Sequence, residues 1–160
     1  MNMRKCMYLI VASLILIISG SLYSHAETTS VTSSPDLVIV IVDAYYTDLE
    51  DNGNLNDIYS ELYITFYSRW YINNLYLYLE LELPSGAYYS YLFLLQFVGI
   101  QTTILPVSFY NHATECGNYT LFAMIWFPGC SNTRVASSMS IFDPPGGHDD
   151  TGDPPWIEIG

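Results

Sequence analysis

The residues best suited to chemistry lie in one acidic segment, residues 48–57 (DLEDNGNLND). It contains four carboxylates, three side-chain amides and one glycine, and it has no basic residue. Hard cations such as Ca²⁺ bind six to eight oxygen atoms at roughly 2.3–2.6 Å, and neighbouring carboxylates repel one another unless a cation lies among them. We therefore expect a calcium site with ligands from Asp48, Glu50, Asn52, Asn54, Asn56 and Asp57.

The order of these residues resembles the calcium loop of EF-hands, dockerins and thrombospondin type 3 repeats. The resemblance covers residues 48–59 only. Asp48, Glu50 and Asn52 match places 1, 3 and 5 of that loop, and the glycine that follows matches place 6. Place 12 is Tyr59 instead of a bidentate glutamate. The resemblance therefore implies a weak structural calcium site, with a Kd on the order of 10⁻⁴–10⁻³ M.

Two alternatives for this loop stay open from the sequence. The ligand missing at place 12 would come from Asp57, Asp43 or Glu61, as in shortened loops that take ligands from a neighbouring strand. The rival interpretation is a plain solvated turn, because residues 51–54 (DNGN) are favourable for a β-hairpin turn.

The first 26 residues have the features of a secretory signal peptide. A basic start at Arg4 and Lys5 precedes an uncharged apolar run over residues 8–18, and a small-x-small site ends at Ala26. An uncleaved anchor is the weaker alternative, because a membrane-spanning helix needs about 20 apolar residues. We expect a secreted or cell-surface protein with no membrane span after cleavage. Its predicted divisions are a signal peptide (1–26), a Ser/Thr-rich flexible leader (27–36), a β-sandwich domain (37–143) and a Pro/Gly/Asp-rich tail (144–160).

Cleavage after Ala26 makes the chain strongly acidic. The formal net charge changes from −12 to −14, and Arg69 and Arg134 are the only basic residues left. Such a surface repels nucleic acid and anionic lipid, and it attracts divalent cations. We expect no nucleic-acid partner.

Two cysteines remain after cleavage, and they predict one disulfide between Cys116 and Cys130, as is usual for an even pair in an exported chain. Asn118 begins an Asn-x-Thr triplet and is a candidate glycosylation site. His112 and His148 accompany no nucleophile motif such as Gly-x-Ser-x-Gly. The sequence therefore favours a protein that is not an enzyme.

Apolar residues recur with period two along residues 58–83, whereas residues 37–42 are a continuous apolar run and residues 88–98 are apolar on both faces, as in a central strand of a sandwich. The pattern predicts about seven strands near residues 37–42, 58–72, 75–83, 88–98, 102–110, 119–127 and 135–142. Pro106 places the fifth of these at a sheet edge.

A turn at Asn73-Asn74 would join the second and third predicted strands as a hairpin. That register places Ile64 opposite Leu83, with the apolar residues on one face. On the other face it places Tyr67 opposite Glu80 and Arg69 opposite Tyr78. We interpret this ladder as sheet chemistry.

Strands joined by short turns, without a helical period, predict an all-β antiparallel β-sandwich. With Gly117-Asn118-Tyr119-Thr120 at the start of the sixth strand, the chain resembles an immunoglobulin-like domain of secreted prokaryotic proteins. The tyrosine in this segment is similar to the tyrosine-corner position of such folds. The two cysteines flank one strand instead of joining two sheets, so jelly-roll variants stay open.

These features predict a non-enzymatic β-sandwich module with a structural calcium-binding loop, acting in adhesion or in surface or matrix structure. Its partners would be a protein or glycan at the cell surface, or further copies of itself. One alternative is an extracellular filament subunit that assembles by strand exchange, its leader or tail pairing with an exposed edge of the next copy. Another is a carbohydrate-binding module that uses a tyrosine-rich outer face formed by Tyr59, Tyr63, Tyr67, Tyr71, Tyr76 and Tyr78.

Overall fold

The computed structural model describes residues 27–33, 37–66, 72–98, 102–129, 135–142 and 153–160, with the backbone alone for residues 27–29 and 72–73. The all-β prediction is confirmed, because the described residues form nine strands and no helix. None of them belongs to a helix that is long and apolar enough to cross a membrane. The strands are β1 (Glu27–Thr32), β2 (Leu37–Thr47), β3 (Asp57–Phe66), β4 (Ile72–Glu82), β5 (Tyr88–Val98), β6 (Thr102–Tyr110), β7 (Tyr119–Trp126), β8 (Val135–Phe142) and β9 (Trp156–Ile159).

The strands form two antiparallel sheets. Sheet A has the order β1-β8-β7-β4-β5, and sheet B has the order β2-β3-β6-β9. Alternate side chains of β2, β3, β4, β7, β8 and the second half of β6 are buried, and the apolar ones belong to one hydrophobic core. This arrangement is compatible with the predicted β-sandwich. Among the buried residues are Ile58, Leu62 and Ile64 of β3 and Leu75, Leu77, Leu79 and Leu81 of β4.

The predicted hairpin between β3 and β4 is wrong. β3 pairs with β2 and β6 in sheet B, whereas β4 pairs with β5 and β7 in sheet A. Asn73 and Asn74 form no turn, because they lie within β4 opposite Phe97 and Gln96. The period-two pattern identifies the buried face of each strand correctly, but the two buried faces belong to different sheets and share one core instead of lying side by side.

The outer-face ladder predicted from that hairpin is also wrong, since β3 and β4 are not neighbours. Tyr67 and Arg69 lie outside the described residues. Glu80 instead accepts a hydrogen bond from the hydroxyl of Tyr78 on the same strand. This bond is the main reason that the pKa of Tyr78 is raised above its usual value.

The segments predicted as leader and tail both contribute strands, so the fold extends beyond residues 37–143. β1 pairs with β8 at one edge of sheet A. β9 pairs with the last four residues of β6, and Trp156 stacks on Tyr110 with ring centroids 3.7 Å apart. β1 (ETTSVT) has a single apolar residue, so it is held through backbone pairing that a search for apolar periodicity does not detect.

β6 lies between β3 and β9, but β9 pairs with only part of its length. β3 covers residues 102–109, whereas β9 covers only Val107 to Tyr110. The carbonyl of Pro106 accepts a hydrogen bond from the N–H of Gly160 at 3.2 Å, so the backbone polar groups of Pro106 point away from β3. The missing N–H of the proline therefore removes no bond between β3 and β6. The prediction that this strand is a sheet edge is therefore wrong, because β6 lies between β3 and β9, although the part of β6 before Pro106 has no partner on the β9 side among the described strands.

Candidate functional site

The acidic segment forms the connection between β2 and β3, and its polar side chains bond mainly to its own backbone. The Asp48 carboxylate accepts hydrogen bonds from the N–H groups of Asn52 and Gly53 at 2.9 and 2.7 Å. The Asn52 side chain accepts from the N–H of Asn54 at 2.9 Å and donates to Glu50 at 3.0 Å. The loop is thus closed by side-chain oxygens that the sequence suggested as calcium ligands.

Two residues of this loop adopt the left-handed backbone conformation. Gly53 has a φ of 85° and Asp51 a φ of 54°. Glycine adopts this conformation without a steric penalty, and aspartate tolerates it better than most residues do. The chain therefore reverses at residues 51–53, which are exposed. Both the calcium-loop and the plain-turn interpretations predict a reversal here.

The last residue of the segment, Asp57, is buried and connects two loops. One carboxylate oxygen accepts a hydrogen bond from the N–H of Leu49 at 2.8 Å, and the other accepts from the N–H of Asn111 at 2.8 Å. Asn56 is buried as well. Its amide nitrogen donates to the side chain of Asn111 at 2.7 Å, and its carbonyl accepts from the N–H of Ala113 at 2.8 Å. Asp57 and Asn56 therefore fix the acidic loop to the turn that follows β6.

His112, in the same turn, is fully buried and is held at both ring nitrogens. Nδ1 lies 2.7 Å from the carbonyl oxygen of Tyr110. Because a carbonyl oxygen only accepts, Nδ1 carries the proton and Nε2 accepts from the hydroxyl of Tyr91 at 2.6 Å. The ring also packs edge-on against Tyr89 and Phe109. Burial lowers the pKa of His112 from 6.5 to about 4, so the imidazole is neutral at neutral pH.

The predicted calcium ligands differ in burial. Asn56 and Asp57 are buried at the base of the loop, whereas Glu50 and Asn52 are exposed. Asp43 and Glu61, proposed as completing ligands, are cross-strand neighbours on β2 and β3. In the described part of the chain, which includes all of residues 37–66, no three His, Cys, Asp or Glu side chains are grouped so that they could hold a metal ion. Calcium binding stays a prediction.

A second polar contact secures the segment before β7. The hydroxyl of Tyr119 donates to the carbonyl of Glu115 and accepts from the N–H of the same residue, both at 2.8 Å. The Glu115 carboxylate accepts from the N–H and the hydroxyl of Ser85 at 2.7 and 2.8 Å. Gly117, with a φ of 122°, occupies a conformation open mainly to glycine. Tyr119 is buried, and its hydroxyl links the start of β7 to the backbone four residues earlier.

The remaining predicted sites are accessible or lie elsewhere. Asn118 is exposed, as a glycosylation site must be. Cys116 is also exposed, and Cys130 lies outside the described residues together with His148 and the predicted signal peptide, residues 1–26. The disulfide and the glycan therefore stay predictions.

Sequence reasoning missed the contribution of Asn111, His112 and Tyr91 to this end of the molecule. Asn111 and His112 follow an apolar strand directly, and polar residues at that position lie where loops from both sheets can meet. No protein-family model matches the chain, and no curated protein is significantly similar to it. The polar groups of the site hold loops together, and this is the role that their geometry supports.

Proposed function

We propose that this chain is a secreted, non-enzymatic module of a cell surface or extracellular matrix, built as an immunoglobulin-like β-sandwich. The observation that carries this proposal is the use of its ionisable groups. Asp57 accepts from the backbone of two loops, the Glu115 carboxylate accepts two bonds from Ser85, and both ring nitrogens of His112 are bonded, to Tyr91 and Tyr110. A protein whose ionisable residues stabilise its loops is suited to binding another molecule rather than to catalysing a reaction. The Tyr119 contact with Glu115 supports the immunoglobulin-like assignment.

The exterior of both sheets supports contact with other macromolecules. On sheet A, Tyr76 packs against Trp126, and Tyr78 packs against Phe122, on the face opposite the buried leucines. On sheet B, the exposed large apolar residues include Val42, Tyr63 and Ile104. Aromatic and apolar side chains on the outer faces of both sheets support a binding surface. The partners that we propose are proteins or glycans at the cell surface.

The test is to recover the protein from the cells that make it. We expect the mature chain to begin at Glu27, to be found in the extracellular or surface fraction, and to bind surface material isolated from the same cells. N-terminal sequencing and cell fractionation measure the first two properties, and a sedimentation assay with labelled protein measures the third. Retention in the cytoplasm with residues 1–26 attached would contradict the proposal.

A filament subunit assembling by strand exchange is the second candidate, and one observation favours it. The first and last described strands, β1 and β9, are the shortest of the nine, and each is the outermost strand of its sheet. Short outer strands can leave one sheet and join the same position in another copy at little cost in free energy. Electron microscopy of the purified chain tests this candidate, and deletion of residues 27–33 should abolish any filaments that it forms.

A further inference from the structure

β5 is the outermost strand of sheet A on the side opposite β1. It pairs with β4 along all eleven residues, from Tyr88 to Val98, in one continuous register. Within the described residues, no strand lies along its other side. At roughly 3.4 Å per residue, this open edge is about 37 Å long. Such an edge presents a row of N–H and C=O groups that can pair with another strand.

β5 lacks the features by which proteins usually protect an open edge. It contains no charged residue, no proline, no glycine and no bulge. The uncharged stretch is longer than the strand, because residues 83–114 contain no Asp, Glu, Lys or Arg. In a chain with a formal net charge of −12, this segment is where a second copy can approach without meeting carboxylates on the pairing strand.

Both faces of β5 are apolar and incompletely covered. On the outer face, Tyr88, Leu92, Leu94 and Val98 are 66, 60, 60 and 47% exposed. The inner face packs only partly against the core, and β9 does not extend along the first half of β6. A groove of about 420 Å³ lies there, lined on the β5 side by residues 93–97 and on the other by residues 103–105, Ile159 and Gly160. An added strand would cover exposed apolar surface on both sides.

We propose that β5 pairs antiparallel with β5 of a second copy about a two-fold axis at Phe93. The strand is self-complementary in this register (YYSYLFLLQFV against its own reverse). On the outer face, Leu92 meets Leu94 of the other copy and Tyr88 meets Val98. On the inner face, Phe93 meets itself, and the aromatic residues on either side of it meet large apolar side chains. The two polar residues of the strand, Ser90 and Gln96, meet each other.

The geometry of a sheet limits the alternative registers. Opposed residues in an antiparallel pair point to the same face, so only registers that move in steps of two residues keep inner side chains against inner side chains. Moving by one such step pairs Ser90 with Leu94 or Val98, and it leaves two residues of each strand unpaired. The register about Phe93 is therefore the one that uses all eleven residues and matches polar with polar.

Because β5 is uncharged and complementary to itself, we infer that its partner is a second copy of this chain and not a charged molecule. The nearest carboxylates on sheet A are Glu80 and Glu82, which lie on β4, one strand away from the new pair. Pairing would join the two sheets A into one ten-stranded sheet and would depend little on salt. This proposal goes beyond the surface-module function and does not require it, because the dimer would form in the purified chain wherever the protein is located.

The test measures the mass of the chain beginning at Glu27 by light scattering, from micromolar to millimolar concentrations. We expect a two-chain mass. Leu92→Lys with Leu94→Lys, and separately Leu92→Glu with Leu94→Glu, place like charges opposite each other and should give single chains. An equimolar mixture of the two variants should restore the two-chain mass, because the introduced charges then oppose each other with opposite sign. Val42→Lys with Tyr63→Lys, on exposed residues of sheet B, is the matched control and should keep the wild-type mass.

Circular dichroism confirms that each variant is folded, and amide hydrogen exchange on the wild-type chain provides a readout without substitution. The outward amides of β5 should gain protection as the protein concentration rises. A single-chain mass at all concentrations, a two-chain mass that both Leu92 and Leu94 variants retain, or no gain in protection would overturn the proposal. An open-ended polymer that disappears on deletion of residues 27–33 would overturn it in favour of strand exchange.

Discussion

Acid should destabilise this protein through His112. The neutral ring has a partner at each nitrogen, Tyr110 at Nδ1 and Tyr91 at Nε2, and burial lowers its pKa to about 4. The unfolded chain has the ordinary value near 6.5, so the unfolded state binds the proton first as the pH falls. The free energy of unfolding is therefore highest above pH 6.5, decreases between pH 6.5 and about 4, and levels off with respect to this group below that range.

The size of the effect follows from the two pKa values. Proton linkage gives a loss of about 2 kcal/mol at pH 5 relative to pH 8. For the chain from Glu27 onward, about 134 residues, the entropy of unfolding is roughly 0.28 kcal/mol/K. The melting temperature should therefore decrease by about 7 °C over this range because of His112 alone.

The assay compares the wild type with His112→Gln, which has no titrating ring. Melting curves give the free energy of unfolding of each protein at pH 8 and at pH 5. Between these two pH values the wild type should lose about 2 kcal/mol more than the variant does, whatever the absolute stability of the variant. An NMR titration of the imidazole protons should show His112 gaining its proton near pH 4. In Tyr91→Phe, the donor to Nε2 is lost, so the pKa should move toward 6.5 and the pH dependence should weaken. Equal pH dependence in wild type and His112→Gln, or a His112 pKa at or above 6.5, would refute the reasoning.

Three further predictions concern the loops. Asp57→Asn should lower the free energy of unfolding, measured by urea denaturation, by about 1–3 kcal/mol, because an amide offers one acceptor atom for two backbone N–H groups. The exposed control Glu50→Gln should change it by less than about 0.5 kcal/mol. Equal effects of the two substitutions would contradict the role of Asp57. Tyr119→Phe removes both bonds to the backbone of the preceding loop and should cost about 1–3 kcal/mol by the same measurement; an unchanged midpoint would show that the corner contact is dispensable. Millimolar Ca²⁺ should raise the melting temperature of the wild type but not of Asp48→Ala with Asn52→Ala, and a wild-type value that is the same in Ca²⁺ and in chelator would exclude the calcium site.

The sequence predicts individual strands well because apolar runs and alternation both indicate burial. The structure begins and ends β5 at Tyr88 and Val98 and β8 at Val135 and Phe142, as predicted, although β5 is an outer strand of sheet A and not the central strand that its two apolar faces indicate. Alternation does not report which strand is the neighbour. Ile64 and Leu83 have the same apolar character whether they lie side by side in one sheet or belong to two sheets that share a core, and the favourable Asn73-Asn74 turn suggested the wrong choice.

The candidate site was predictable only in its local part. The chain reversal at Gly53 follows from the sequence of the loop, because it depends on neighbouring residues. The role of Asp57 does not, because one of its two partners, Asn111, comes from a loop that is distant in sequence. A carboxylate that accepts two backbone N–H groups inside the protein has the same local sequence as one that binds an exposed ion. The partner from the distant loop distinguishes the two cases, and it is known only once the fold is known.

The pairing of β1 with β8 has a consequence for how the chain folds. Glu27 lies opposite Ile141, and the N–H of Ile41 donates to the hydroxyl of Ser138 at 3.1 Å. Contacts between such distant residues form slowly, because a long loop must close first. Synthesis proceeds from the N-terminus at about 5–20 residues per second. Nearly the whole chain must therefore be synthesised before β1 and β2 can form these contacts with β8. The β1 edge of sheet A can therefore be completed only after residues 135–142 have been synthesised.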